Sequence, residues 1–284
     1  MARVCLLSPS RDDAYFESRW TDVFAATAAP LRARGVEVEH RAWTDAGDLS
    51  GFGLVMPLLA WGYHRAAERW AANVARWEGE GVRLANAAPV LRWNAEKTYL
   101  AQLAQRGAPV VPTLFVQAVD EAVLRDAAAS FGSARLVAKP VASAGAWRTI
   151  RWPDEPVSAG PPGAAMVQPY LPSIESAGEV SLLFFGGAFS HAIAKRPQPG
   201  DYRVQPEYDG IITRHVPAAD ELEAAERVLK AVGEPLLYAR IDLVRGLDGR
   251  AELIEIEAIE PDLYLGYDPA GGAMFANAVV EALA

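Results

Sequence analysis

A chain of 284 residues, 51% of them hydrophobic and 22% charged, is long enough for one compact unit or two to three small domains with their own cores. A single cysteine, Cys5, excludes an internal disulfide framework and fits a reducing cytoplasm, and four scattered histidines speak against a structural zinc site. The net charge of -9 argues against a general nucleic-acid binder, and the uncharged apolar stretch at residues 49–63 is too short and too broken by Gly51, Gly53, Pro57 and Gly62 to cross a membrane.

The apolar run at residues 4–7 predicts a first buried strand, and Arg11, Asp12 and Asp13 follow too soon for a signal segment. Residues 15–34 predict a helix with Phe16, Trp20, Phe24 and Leu31 at its apolar positions; Pro30 is expected to kink it or end it early. Strands are expected at 36–40 and 54–58, a helix at 65–78 and a short strand at 82–84. Strands alternating with helices imply a mainly parallel sheet covered on both faces, so residues 1–89 read as an N-terminal α/β domain. Trp61, Trp70 and Trp77 read as packing residues. His40, His64 and His215 have no paired acid or ligand spacing.

Residues 90–165 read as a small α+β lobe. A helix at 95–106 is stopped by Gly107 and Pro109, Asp120 caps a helix reaching Phe131, and strands at 136–139 and 149–152 flank a turn of small residues. From residue 166 to 284 the pattern is strand-heavy. Strands are expected at 166–170, 179–185 and 189–195, with Gly186-Gly187 as a hairpin signal, then a helix at 220–232 and a closing helix at 271–283.

Between those last helices, YARIDLVRGLDGRAELIEIEAIEPDLYL begins at Tyr238 and carries Arg240, Asp242, Glu255 and Glu257 at alternate strand positions. Residues two apart on a strand share a face, so Glu255 and Glu257 point the same way, and Asp242 joins them if the two runs pair. A strand with one solvated face alternates acids in the same manner. Convergent carboxylates on a buried sheet are instead tolerable with Mg²⁺ between them, and Arg240 beside Asp242 favours that second reading.

Other pieces are weak singly. Asn94-Ala-Glu-Lys97 is expected to begin a helix, and Val137-Ala-Lys139-Pro140 ends a strand running into the small residues around Ser143 and Gly145; an ammonium beside an unencumbered backbone suits phosphate. A lysine at a helix start is ordinarily a solvated surface residue, and a small-residue turn is ordinarily a turn. Gln168, Pro169, Tyr170 and Leu171 make a strand that turns, Glu179 opens the next strand, His191 and Lys195 lie near the end of another, and Arg203 follows a glycine-led loop.

Taken in order, these pieces resemble the ATP-grasp superfamily and its carboxylate-amine ligases, over roughly residues 86–265. The resemblance implies an ATP-grasp fold preceded by a parallel β-α-β domain, with ATP and Mg²⁺ as cofactors. It implies that Lys97, Lys139 and Lys195 contact phosphates, that Ser143 lies in the loop over them, and that Gln168, Tyr170 and Leu171 form the adenine hinge. Glu179 would accept the ribose, Arg240 would stabilise the transferring phosphate, and Asp242, Glu255 and Glu257 would hold magnesium. Within the superfamily, the runs KPVASAGAWRT, VQPYLPSIESAGEVSLLFFGGAFSHAIAKRP and GDYRVQPEYDG are similar to cyclo-ligases that make cycloserine from O-ureido-serine, and more distantly to glutathione synthetase-like enzymes. Two departures stand out: Glu257 occupies a usual asparagine position, and Gln168 a common hinge glutamate.

The expected activity is ATP-dependent, ADP-forming activation of a small amino-acid-like carboxylate for attack by nitrogen, within one molecule or between two. Arg203 would meet the substrate carboxylate on that reading. A D-alanine-ligase or glutathione-synthetase type of amide ligase, a kinase that stops at phosphoryl transfer and a non-catalytic ATP-binding protein are the alternatives. Loops near residues 8–13, 59–64 and 201–210 are expected to shape the substrate pocket. No nucleic-acid or membrane partner is expected, and a homo-oligomer is left open.

Overall fold

The computed structural model describes all residues except Met1, Arg11, Ala14, Glu17, Ser18, Ala144 and 199–209. Its first sheet is parallel, in the order β2 (Glu37–Ala42), β1 (Arg3–Ser8), β3 (Leu54–Met56). Val4 to Leu7 of β1 are wholly buried, as a central strand covered on both faces requires. Residues 82–84 add only a bridge from Leu84 to Val55. Helix α1 (Trp20–Arg32) starts later than its apolar pattern suggests, because Phe16 and Arg19 close hydrogen-bonded turns instead. It also runs past Pro30, which sits in the last turn, where Ala33 N–H still donates to Ala29. Helix α2 (Ala67–Gly79) follows a 3₁₀ turn at Tyr63–Ala66, and its Trp70 and Trp77 are buried core residues.

The helix expected at 95–106 begins later, as α4 (Tyr99–Gln105); a separate helix that the sequence did not suggest, α3 (Ala88–Asn94), precedes it, and Lys97 lies in the turn between them. Asn94 breaks the helix by spending its side chain elsewhere: Nδ2 donates to Ile256 O at 2.8 Å and Oδ1 accepts from Ala258 N at 2.8 Å. Next come β4 (Leu114–Val116), α5 (Glu121–Phe131) with Asp120 capping Val123 N, β5 (Leu136–Pro140), β6 (Ile150–Trp152) and β7 (Ala165–Pro169). They form an antiparallel sheet ordered β4-β7-β5-β6. Strand β7, grouped by its sequence with the strand-heavy C-terminal stretch, is therefore an inner strand of this sheet. Alternation reveals a strand but not its distant neighbours.

After the short helix α6 (Ser173–Ser176) come β8 (Glu179–Phe185), β9 (Ala188–Arg196), β10 (Ile211–His215), α7 (Ala219–Val232), β11 (Tyr238–Arg245) and β12 (Ala251–Glu257). Their antiparallel sheet runs β10-β9-β8-β11-β12. Gly186 and Gly187 turn the β8–β9 hairpin at positive φ, where glycine carries no Cβ penalty. Helix α8 (Ala273–Leu283) returns to the first sheet, and Phe275 and Val279 pack in one core with Leu6, Met56, Leu183, Phe185 and Tyr238. Among the described residues no helix is long and apolar enough to cross a membrane. His215, which has no acid at recognisable sequence spacing, pairs with Glu221 at 2.7 Å where β10 meets α7.

Candidate active site

One cavity of about 240 Å³ lies between the four-stranded and five-stranded sheets. Lys97, Lys139, Ser143, Gln168, Tyr170, Leu171, Glu179, Lys195, Arg240, Asp242, Glu255 and Glu257 all line it, although they come from residues 160 positions apart. Arg203 lies outside the described residues. His191 is buried against Phe185, hydrogen-bonded to Leu263 O at 3.0 Å, and does not line the cavity.

The acid-bearing strands pair as the alternation requires, with Asp242 opposite Glu255 and Arg240 opposite Glu257. The register shifts just after Asp242, a bulge of the sort that re-aims side chains near sites. The three acids nevertheless do not converge into a cage. Among the described residues no three His, Cys, Asp or Glu side chains could hold a metal ion by themselves, because cations stand between the carboxylates. Arg240 Nη2 lies 2.9 Å from Asp242 and also pairs with Glu257; Lys97 Nζ lies 2.9 Å from Glu255. Lys195 pairs with Glu179 and lies 3.6 Å from Asp242, which accepts a further hydrogen bond from Ser181 Oγ at 2.5 Å.

Protonation follows from this packing. Burial alone would raise Asp242, but Arg240 and Lys195 outweigh it and hold the carboxyl below the usual range. Burial likewise works against the charge on Lys195, and Asp242 with Glu179 overcomes it and raises the ammonium above an ordinary lysine. Glu257 goes the other way: burial, opposed by Arg240 but reinforced by Glu255 and Asp242, pushes it up to about 7. Lys139, half-buried, is brought down to about 8 by burial, with Lys97 adding to the shift and Glu255 opposing it. It has no ion pair among the described residues.

Across the cavity, β5 and β7 place Val137 opposite Gln168, and Tyr170 N–H donates to Arg135 O. Gln168 spends its side-chain amide on Thr113 Oγ1, donating from Nε2 at 2.8 Å. The Tyr170 ring lies 4.4 Å beneath the Arg135 guanidinium. Lys97 Nζ also donates to Ser143 O at 2.7 Å, tying the small-residue loop to the acids. Glu179 Oε1 meets Lys195, and its other oxygen has no hydrogen-bond donor among the described residues, so it is available as an acceptor.

Of the titratable side chains that line the cavity, two were not singled out from the sequence, Tyr63 and Glu260. Tyr63 belongs to a stretch expected near the substrate, but as an aromatic among aromatics it carries no signal of its own. Glu260 follows the end of β12, where strand parity no longer says which way a side chain points. An acid three positions past Glu257 and just before Pro261 was the available clue.

Comparison with known proteins gives a consistent set of likenesses. Residues 9–86 match the family described as D-cycloserine synthetase DcsG, N-terminal domain. Cycloserine biosynthesis protein DcsG of Streptomyces lavendulae is 34% identical over 283 residues, covering 89% of this chain and 91% of that protein. The crystal structure of D-cycloserine synthetase DcsG superposes with a TM-score of 0.83 at 27% identity, over 100% of both chains. The ATP-grasp ligase PsnB, solved with a precursor variant, Mg and ADP, shares the fold at a TM-score of 0.65 and 18% identity, over 99% of this chain and 98% of that one.

Proposed function

Since the chain belongs to the D-cycloserine synthetase family of ATP-grasp ligases, we propose that it uses ATP to activate a small amino-acid-like carboxylate as an acyl phosphate, which a nitrogen of the same molecule then attacks. The reaction that fits best is closure of O-ureido-serine toward cycloserine, as a step of antibiotic biosynthesis in the cytoplasm. The observation that carries this reading is Lys139: a half-buried cation without an ion pair among the described residues, facing a cavity rich in acids, is a place for a phosphate.

The residues fit Mg-ATP. Mg²⁺ takes one or two carboxylates together with substrate phosphates and retained waters, so it does not need a cage of three acids, and Asp242, Glu255 and Glu257 supply hard oxygen donors on one face. Bound there, the ion would neutralise the β- and γ-phosphates. Lys97, Lys139 and Lys195 hold phosphate oxygens, the backbone from Gln168 to Leu171 meets the adenine, and Glu179 takes the ribose. A substrate carboxylate oxygen attacks the γ-phosphorus, the bond to the β-phosphate oxygen breaks, and ADP leaves while Arg240 offsets the charge. The nitrogen lone pair then forms the C–N bond, phosphate departs with the C–O electrons, and the N–H proton is released. Arg240 also suits the oxyanion of that tetrahedral step. In O-ureido-serine the oxygen-bound nitrogen closes a five-membered ring, whose carbamoyl group must be lost by hydrolysis to give cycloserine. A tethered nucleophile acts at high effective molarity, so the protein's task is to activate and to fold the chain back. Arg203, outside the described residues, remains the proposed contact for the substrate carboxylate.

Incubation with Mg-ATP and O-ureido-serine should yield ADP and ring-closed product in equal amounts. AMP and pyrophosphate would contradict γ-transfer. ADP appearing only after addition of a separate amine would replace the cyclo-ligase with an intermolecular amide ligase.

Lys139 also sets a pH dependence. Below about 8 its ammonium is already charged; above that, ATP binding must drive proton uptake, so affinity should fall by up to about tenfold per pH unit above 8, separately from any change near 7 where Glu257 titrates. Calorimetric titration across that range should show the fall in wild type and a flat profile in Lys139→Arg. Equal profiles would remove Lys139 from the phosphate contacts.

A further inference from the structure

We infer that Glu260 is the acceptor for the ammonium group of the amino-acid substrate, and so a specificity-determining residue of the ligase; this rests on the ligase reading above. Every other carboxylate lining the cavity already has a cation: Glu179 has Lys195, Asp242 has Arg240 and Lys195, Glu255 has Lys97, and Glu257 has Arg240. Glu260 lines the same cavity with no ion pair or hydrogen bond among the described residues. A half-buried acid left without a partner in a cavity whose cations are already paired to other acids calls for a positive ligand.

Its backbone is held for that purpose. The segment leaving β12 is pinned on both sides: Ala258 N to Asn94 Oδ1 and Ala258 O to Asn86 Nδ2, each at 2.8 Å, and Ile259 O to Tyr238 OH at 2.9 Å. Pro261 follows and is itself buried. Fixed carbonyls and amides around an unpartnered carboxylate describe a preorganised acceptor rather than a surface acid.

The position also suits the chemistry. Glu260 and Arg240 line one cavity, and Glu257 and Arg240 are the charges that act most strongly on Glu260, so it lies within electrostatic reach of the guanidinium assigned to the transferring phosphate without pairing with it. In an α-amino acid the nitrogen is two bonds from the carboxyl carbon, so a carboxylate activated near Arg240 brings its ammonium toward Glu260. Tyr63 closes the same end. After burial, the charge acting most on its phenol is that of Glu260, ahead of Glu255 and Glu257.

The test pairs substrate and residue. O-ureido-serine and its desamino analogue, 3-(ureidooxy)propionate, are titrated calorimetrically into wild type, Glu260→Gln and Glu260→Asp, each loaded with Mg²⁺ and a non-hydrolysable ATP analogue, and turnover is followed separately by ADP release. Loss of one charge-assisted contact should weaken O-ureido-serine binding roughly ten- to a hundred-fold in Glu260→Gln, with partial rescue in Glu260→Asp. The desamino analogue should bind wild type and Glu260→Gln alike, and nucleotide affinity should not change. Equal weakening for both compounds, unchanged binding of O-ureido-serine, or no binding of it to wild type overturns the assignment. Failure of the ligase reading shows differently, as wild type that binds O-ureido-serine but releases no ADP.

Discussion

Glu255→Gln is expected to lower kcat by roughly a hundred-fold or more while leaving the fold intact, because a charged oxygen donor to Mg²⁺ becomes a neutral amide of the same size. The side chain keeps 28% of its exposure, and its ion pair is with Lys97 at 2.9 Å, so the sheet does not depend on it. Its place opposite Asp242 puts it at the centre of the acidic face. Lys97 loses its counter-ion in this variant, which should strengthen rather than abolish its hold on phosphate. The signature is therefore a fall in kcat and a raised Mg²⁺ requirement with little change in nucleotide affinity. Steady-state rates across a Mg²⁺ series, with circular dichroism as a check on folding, decide it. Wild-type turnover would take Glu255 out of the metal-binding acids.

How much of this was legible in the sequence depended on how local the determining interaction was. The parity of Asp242, Glu255 and Glu257 survives into the structure because strand alternation is fixed by the backbone of each strand. The Gly186-Gly187 turn and the Asp120 cap were readable for the same reason, since each is settled within a few residues. Lys97 was misplaced on a helix because the side chain that breaks the helix, Asn94, answers to Ile256 and Ala258, over 160 positions away. Strand β7 could not be assigned to its sheet, nor His215 to Glu221, without knowing what the chain brings back to them. The acids were expected to meet one another. Spacing alone could not show that Arg240, Lys97 and Lys195 stand between them.

Those intervening cations make Asp242 a structural residue as well as a site residue. Its side chain is 3% exposed and joins Arg240 at 2.9 Å, Lys195 at 3.6 Å and Ser181 Oγ at 2.5 Å. Asp242→Ala would leave two buried cations short of their counter-ion, and breaking a buried pair in this way costs about 3 to 5 kcal/mol. That penalty should appear as a lower denaturant midpoint than wild type at pH 7, whereas Glu255→Gln should show almost none. The pH dependence has a definite sign. Arg240 and Lys195 hold the folded Asp242 carboxyl below its unfolded value near 3.9, so its stabilisation is fully present above that pH and is lost as pH falls through the folded value. Asp242's own share of the gap between wild type and Asp242→Ala should therefore persist down to about pH 5 and shrink below about pH 4, while the gap widens somewhat from neutral pH toward 5 as Glu257, which Asp242 helps push up to about 7, takes its proton in wild type. Equal midpoints at pH 7 would mean that Glu179 and Glu257 suffice to neutralise Arg240 and Lys195, and the buried network would no longer count as part of what holds β8, β9 and β11 together.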